Sequence, residues 1–335
     1  MQLVIDSYGS SIGKHSERIV VRNKGEVTQE LPFDEIEQLT VGAHGVMLST
    51  DVIQACSERG IQIHFLTYTG QPYAQISAPN LTGTVITRRE QILAYRDERG
   101  LLLAKALIAA KIKNQAHLLR YFAKYRKTTD PDLFVDLDET SRAIEEMAGL
   151  LTKVSGENVD ASRFDLLGIE GRAAKHYWGA FGRLAGDRIP FKGREHRGAT
   201  DPINSALNYG YGILYTQVAG AILLAGLEPF AGFIHVDRPG KASLVLDMVE
   251  GFRQPIVDRT IMAMLGWGVE IEMEVDRLSE ATRKDLAKRV LERLEETERY
   301  RSRKLRLRSI IQCQMREVAA FLRGEAGFRA FVSGW

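Results

Sequence analysis

"REQILAYRDERGLLLAKALIAAKIKNQAHLLRYFAKYR", residues 89–126, repeats its apolar side chains at intervals of three and four. That spacing gathers them on one face of an α-helix rather than on alternate faces of a strand. Upstream the pattern changes to short strands and turns: "LVI" at 3–5, "RIVVRNKGEVTQEL" with a hairpin-like Asn-Lys-Gly, and "IQIHFLTYTGQPYAQI" bent at Gly70. One short helix, "TDVIQACSERG", interrupts them, with Thr50 or Asp51 to cap its start and Gly60 its end. Pro79 to Gly83 break all periodicity, and the boundary is placed there. Downstream, helices are predicted near 138–154, 159–184, 202–226, 241–264, 279–297 and 301–323, with Pro255 kinking or interrupting the one at 241–264. The expected fold is α+β: a small N-terminal β-rich domain, 1–84, followed by a larger all-α C-terminal domain, 85–335. No period of 20 to 50 residues argues for a solenoid.

A chain of 335 residues with 44% hydrophobic content can bury one large core or two smaller ones. Lys and Arg total 45 against 43 acids, so no global basic charge marks a nucleic-acid binder, and any basic surface must be local. Only Cys56 and Cys313 are present, in no CxxC arrangement, which argues against a disulfide framework or a zinc site and fits a reducing cytoplasm. The start, "MQLVIDSYGSS", lacks the basic and apolar regions of a signal peptide and reads as a first strand. Residues 202–227 carry no charge, but Asn204, Ser205, Asn208, Thr216 and Gln217 interrupt them, so a buried central helix is expected rather than a membrane span.

"GFIHVDRPGKASLVLDMVEGFR", 232–253, holds the most informative polar residues. Asp247 and Glu250 are three positions apart, so on a helix their carboxylates share neighbouring parts of one face. Leu244, Val245, Leu246, Met248, Val249 and Phe252 surround them, and so apolar a setting raises an acid's pKa unless a cation or hydrogen bonds compensate. Either a metal ion does so, or Asp247 caps or faces solvent while Glu250 pairs with Arg253. His235, ahead of the helix, is either a ligand or a structural histidine. Glu170, in "LLGIEGRAAKHYWGAFGR", is a second acid in an apolar helix, with Arg172 and Lys175 as its alternative partners. Together Glu170, His235 and Glu250, with Asp247 beside them, form an oxygen and nitrogen set suited to Mg²⁺ or Mn²⁺.

Seven basic residues against two acids lie between Arg172 and Arg197, and "RSRKLRLR" at 301–308 adds five cations in eight residues. Each is either a solvated face or a phosphate track; two of them in the domain that holds the acids suggest a metal-dependent enzyme acting on a nucleic-acid backbone. Tyr209 and Tyr211 offer a rival, a covalent tyrosine nucleophile, although their apolar helix favours core packing. No GxxxxGK[ST] supports a nucleotide-driven motor.

In order and spacing, "GIEGRAAKHYW", "DPINSALNYGYGILY", "GFIHVDRPGKASLVLDMVEGFR" and "QMREVAAFLRGE" resemble the CRISPR-associated spacer-acquisition integrases, the larger of the two universal adaptation proteins. The resemblance covers nearly the whole chain. It implies that Glu170, His235 and Glu250 bind a divalent metal, with Asp247 a nearby acid. Many relatives have aspartate where Glu250 stands, and many run straight from arginine to proline where this chain inserts Gln254. It further implies a homodimer formed largely through the β domains, a small ferredoxin-like CRISPR-associated partner, and double-stranded DNA as substrate. The implied reaction is transesterification, in which the 3′-hydroxyl of a captured fragment attacks a phosphodiester of a repeat array. Lys175, Arg194, Arg197, Arg238 and Lys241 are the candidate phosphate contacts, by position and charge. A nuclease resolving branched DNA and a non-enzymatic DNA-binding scaffold are the alternatives.

Overall fold

The computed structural model describes residues 1–78, 85–186, 191–195 and 198–334. Its N-terminal part runs β1 (Gln2–Ile5), β2 (Ser11–His15), β3 (Arg18–Asn23), β4 (Glu26–Pro32), β5 (Gln38–Val41), β6 (Met47–Leu48), α1 (Thr50–Glu58), β7 (Gln62–Leu66) and β8 (Pro72–Ile76). These strands make two four-stranded sheets, ordered β1-β5-β7-β8 and β4-β3-β2-β6. The Asn-Lys-Gly hairpin between β3 and β4 places Lys24 and Gly25 at positive φ, the tight turn such residues favour. Leu3, Ile12, Val21, Phe33, Leu39, Val52 and Ile63 fill the space between the sheets and α1. The cap of α1 is Ser49, one residue before the expected Thr50 or Asp51: its hydroxyl accepts from Val52 N at 3.3 Å.

The helical part contains α2 (Val85–Ala94), α3 (Glu98–Ala123), α4 (Pro131–Leu150), α5 (Val159–Ala185), α6 (Pro202–Leu224), α7 (Ser243–Val249), α8 (Arg259–Gly266), α9 (Glu280–Glu295) and α10 (Leu307–Leu322). The stretch 89–126 is divided at Tyr95–Asp97, because the Asp97 carboxylate accepts from Arg99 N at 2.8 Å and starts α3 afresh. At α4, Asp130 followed by Pro131 moves the start ahead of the predicted 138. The predicted helix 301–323 is shorter than expected. Residues 297–306 instead form a hairpin in which β11 (Thr297–Tyr300) pairs β12 (Arg303–Arg306), and a shorter hairpin, β9 (Met273–Glu274) with β10 (Arg277–Leu278), precedes α9. Several cations of "RSRKLRLR" are thereby committed within the fold, Arg301 to Glu317, Arg306 to Glu295 and Arg308 to Glu295 and Glu37.

The uncharged helix α6 lies at the centre, and none of the described helices is long and apolar enough to cross a membrane. One side of α6 receives the β-rich part: Gln217 Nε2 donates to Gln38 Oε1 at 2.7 Å, and Gln62 Nε2 to Gly220 O at 3.3 Å. Closer approach occurs at Gly70, the φ +81° residue of the β7–β8 turn, where a Cβ on Gly212 would stand 1.9 Å from Gly70 O. Only glycine fits there. Gly212→Ala is therefore expected to cost about 3 kcal/mol through forced separation of backbone from backbone, seen as a Tm lowered by several degrees; an unchanged Tm would show that the two parts are not locked at this turn.

Candidate active site

α7 stops at Val249, and after the turn at 250–252 the chain passes through a π-helical turn, Arg253–Asp258, that contains Pro255, before α8. That turn contains Gln254, and it is fixed by Asp258, whose buried carboxylate accepts from Tyr177 at 2.7 Å and Tyr211 at 2.5 Å. Burial pushes the Asp258 carboxyl up, and the two tyrosine hydrogen bonds oppose it. Tyr211 thus spends its hydroxyl on Asp258, and Tyr209 is buried against Asp6 and Gly42 of the β-rich part. Both are core residues, and neither presents a nucleophile to a cleft.

Ser243 and Asp247, one turn apart on α7, hold the preceding loop. The Asp247 carboxylate, fully buried, accepts from Phe233 N at 2.6 Å, Ile234 N at 2.9 Å, His235 N at 3.0 Å and His235 Nδ1 at 2.7 Å. Ser243 Oγ accepts from Gly232 N at 2.9 Å. From the other side Arg163 of α5 donates to Phe233 O and Ile234 O, both at 3.1 Å. Gly232 is required here, because a Cβ would stand 2.8 Å from Asp247 Oδ2. Here the structure answers why an acid sits in this apolar run: Asp247 supplies acceptors to a loop that would otherwise bury bare N–H groups. With Nδ1 facing Asp247, the opposite ring nitrogen of His235 is the one left for the cleft.

That cleft, of about 940 Å³, brings together Glu170, His235 and Glu250 from α5, the loop and the end of α7, with Gly70, Gln71 and Pro72 of the β-rich part at its rim. Asp247 and Glu250 do not point to a common place, as their spacing suggested. Glu250 keeps helical dihedrals, φ −55° and ψ −36°, and faces the cleft with Leu246, Val249 and Arg253, while Asp247, offset by roughly 60° around the helix axis, faces the loop. Lys175, Arg194, Arg238 and Lys241 line the same space, whereas Arg197 lies outside the described residues. Among the described residues no carboxylate stands within ion-pair distance of Lys175, Arg238 or Lys241. Arg194 differs: its guanidinium donates to Asn204 at 2.9 Å and Asn208 at 2.6 Å and stacks on Tyr211 and Trp178. Burial pulls its pKa down.

One residue at the centre, Lys111, escaped the sequence, which had already offered Arg253 as a partner for Glu250. Lys111 of α3 contacts Glu170 Oε1, and its Nζ lies 2.6 Å from Glu250 Oε2, a close ion pair outside hydrogen-bonding angles. Arg253 Nη1 completes the set at 2.7 Å from Glu250 Oε1. So Glu170 pairs across helices rather than with Arg172 or Lys175, and Glu250 does pair with Arg253, with Lys111 added. Burial raises the Glu250 carboxyl, but Arg253, Lys111 and then His235 outweigh it and hold it down at about 2. Burial likewise disfavours the Lys111 ammonium, and Glu250 followed by Glu170 reverse the effect and raise its pKa.

Two carboxylates and an imidazole thus meet in a cleft lined by cations, in a protein whose β-rich part precedes its helices. The chain belongs to the family described as CRISPR associated protein Cas1, whose model matches residues 3–299. It is 38% identical to the CRISPR-associated endonuclease Cas1 1 of Archaeoglobus fulgidus over 347 aligned residues, covering all of both chains. Among solved structures it resembles a casposase bound to integration product, with a TM-score of 0.81, 23% identity and coverage of 98% of this chain and 92% of that one. A Cas6-RT-Cas1–Cas2 complex matches with a TM-score of 0.79 and 18% identity, over 99% of this chain and 36% of that one. These two likenesses establish the fold.

Proposed function

We propose that this protein is a divalent-metal-dependent DNA strand transferase and endonuclease that inserts captured DNA fragments into a CRISPR array. One observation carries the reading: Glu170, His235 and Glu250 converge from three elements on one cleft walled by Lys175, Arg238 and Lys241. The names of the relatives, an endonuclease and a casposase bound to integration product, support it.

The donor set fits Mg²⁺ or Mn²⁺. Among the described residues no three His, Cys, Asp or Glu side chains stand close enough to hold an ion as placed. Yet the space between Glu170 and Glu250 already takes a cation, the Lys111 ammonium, so it is shaped and charged for one. Glu170, Glu250 and His235 would hold the metal, which when bound supplies Lewis-acid stabilisation of charge on the phosphoryl oxygens. Asp247 keeps the His235 ring oriented. Lys175, Arg238 and Lys241 position the phosphate backbone. In the reaction the fragment's 3′-hydroxyl oxygen bonds to phosphorus, the array strand's 3′-oxygen leaves, and the proton lost by the first is regained by the second. If water takes the place of that hydroxyl, the same site cuts. A homodimer formed through the β-rich part and a small ferredoxin-like partner complete the proposed machine; the Cas1–Cas2 complex among similar structures supports the second.

Incubation with labelled 3′-hydroxyl DNA and a supercoiled repeat-bearing plasmid in Mn²⁺ tests this, with the small partner protein present and absent. Label joined to plasmid, abolished by chelator, is expected. Cut plasmid without joined label would favour a nuclease resolving branched DNA. Binding indifferent to metal, with strong salt dependence and no product, would leave a DNA-binding scaffold.

A further inference from the structure

Lys111 stands where a divalent ion would have to go. Its ammonium is the one cation within ion-pair distance of Glu170 among the described residues, and it also neutralises Glu250, with only 11% of its side chain exposed. Two cations cannot occupy that space together, because their repulsion inside a buried site is far stronger than in water. One turn further along α3, Gln115 lines the same cleft at 1% exposure, and neither its Oε1 nor its Nε2 has a hydrogen-bond partner among the described residues. A buried amide idle at both ends is costly, so a group of this kind calls for a second state that uses it. Residues four apart on a helix have Cβ atoms roughly 6 Å from one another, within reach of a lysine.

We propose, resting on the metal-dependent reading above, that Lys111 is a displaceable internal cation: it fills the ion seat between Glu170 and Glu250 before metal enters, and Gln115 Oε1 receives its ammonium when metal displaces it. Glu250 keeps Arg253 throughout, so Glu170 is the carboxylate whose charge changes hands. No proton is gained or lost. The buried acids stay neutralised at every stage, which lets the site fold without metal and makes metal affinity a competition rather than a simple capture.

Direct Mn²⁺ binding to the full chain without DNA, read from the electron paramagnetic resonance signal of free Mn²⁺, tests this. Lys111→Met removes the competitor and is expected to bind Mn²⁺ about tenfold more tightly than the unmodified protein. Its metal-free Tm falls, and added Mn²⁺ raises that Tm by more than it raises the original. Gln115→Leu breaks no hydrogen bond of this structure, so its metal-free Tm holds or rises while its Mn²⁺ affinity drops several-fold; it keeps the test open should Lys111→Met fail to fold. Equal or weaker Mn²⁺ binding by Lys111→Met overturns the competition, and unchanged affinity in Gln115→Leu overturns the receiving role. Glu170→Gln separates the two levels. If it abolishes Mn²⁺ binding while both other variants match the unmodified protein, the metal site stands and the Lys111 role is gone. If unmodified protein and Lys111→Met alike bind no Mn²⁺, both are gone.

Discussion

His235→Ala is expected to abolish joining of a labelled 3′-hydroxyl DNA to a repeat-bearing plasmid while leaving the fold intact. The ring is partly exposed, with 29% of its side chain accessible, and it belongs to the cleft rather than to the core. Removing it takes one of four hydrogen bonds from Asp247 and leaves the three backbone donors in place, so the stability loss is about 1 kcal/mol. Activity responds on another scale, because a ligand or proton-handling side chain at the reacting centre contributes roughly 10²- to 10⁴-fold. Joined product should therefore fall below detection at an enzyme concentration where the unmodified protein gives a strong signal, with both proteins melting within a few degrees. Full joining by His235→Ala would sink the assignment of this cleft. A lost signal accompanied by a collapsed Tm would assign His235 to the fold instead.

The parts of this site that the sequence exposed are those whose chemistry conflicts with their surroundings. Glu170, Asp247 and Glu250 stand out because each interrupts an apolar run, and His235 because it precedes one. Lys111 does not stand out. In "LLLAKALIAAKIKNQAHLL" a lysine every few residues looks like the wet face of an amphipathic helix, and only the tertiary packing of α3 against α5 and α7 turns it inward. A local signal did exist: Ile108, Lys111 and Gln115 fall at helical spacing and share one face, which mixes polar groups into an inward stripe. Spacing alone also misjudged Asp247 and Glu250: three helical positions leave them roughly 60° apart, and packing sets the 233–235 loop against the first and the cleft against the second. The hairpin at 297–306 was hidden for a different reason. Its ion pairs reach α9 and α10, and such partners leave no periodic trace.

The contrasting result is expected at Asp247, where fold and activity fail together. Asp247→Ala leaves the N–H groups of Phe233, Ile234 and His235 buried without an acceptor, together with His235 Nδ1. Two of these residues are themselves almost wholly buried, so water cannot replace the carboxylate without opening the loop. A loss of about 3 to 5 kcal/mol follows, the range seen when a buried charge is removed from its hydrogen-bonded partners. Asp247→Asn is the sharper probe. It preserves shape and keeps one acceptor oxygen, but turns an amide NH₂ toward N–H groups that need an acceptor, and at the histidine it offers either a donor or a neutral acceptor in place of a carboxylate. Its Tm should lie between those of the unmodified and alanine proteins, and its joining activity should fall by about 10- to 100-fold, the usual effect of losing the group that orients a ligating histidine. If His235 acts only through the ring that Asp247 holds, adding His235→Ala to Asp247→Asn lowers activity no further than His235→Ala alone, while the two effects on Tm remain distinct. A native Tm in Asp247→Ala would mean that the loop finds acceptors elsewhere, and Asp247 would lose its place as the residue that couples the fold to the site.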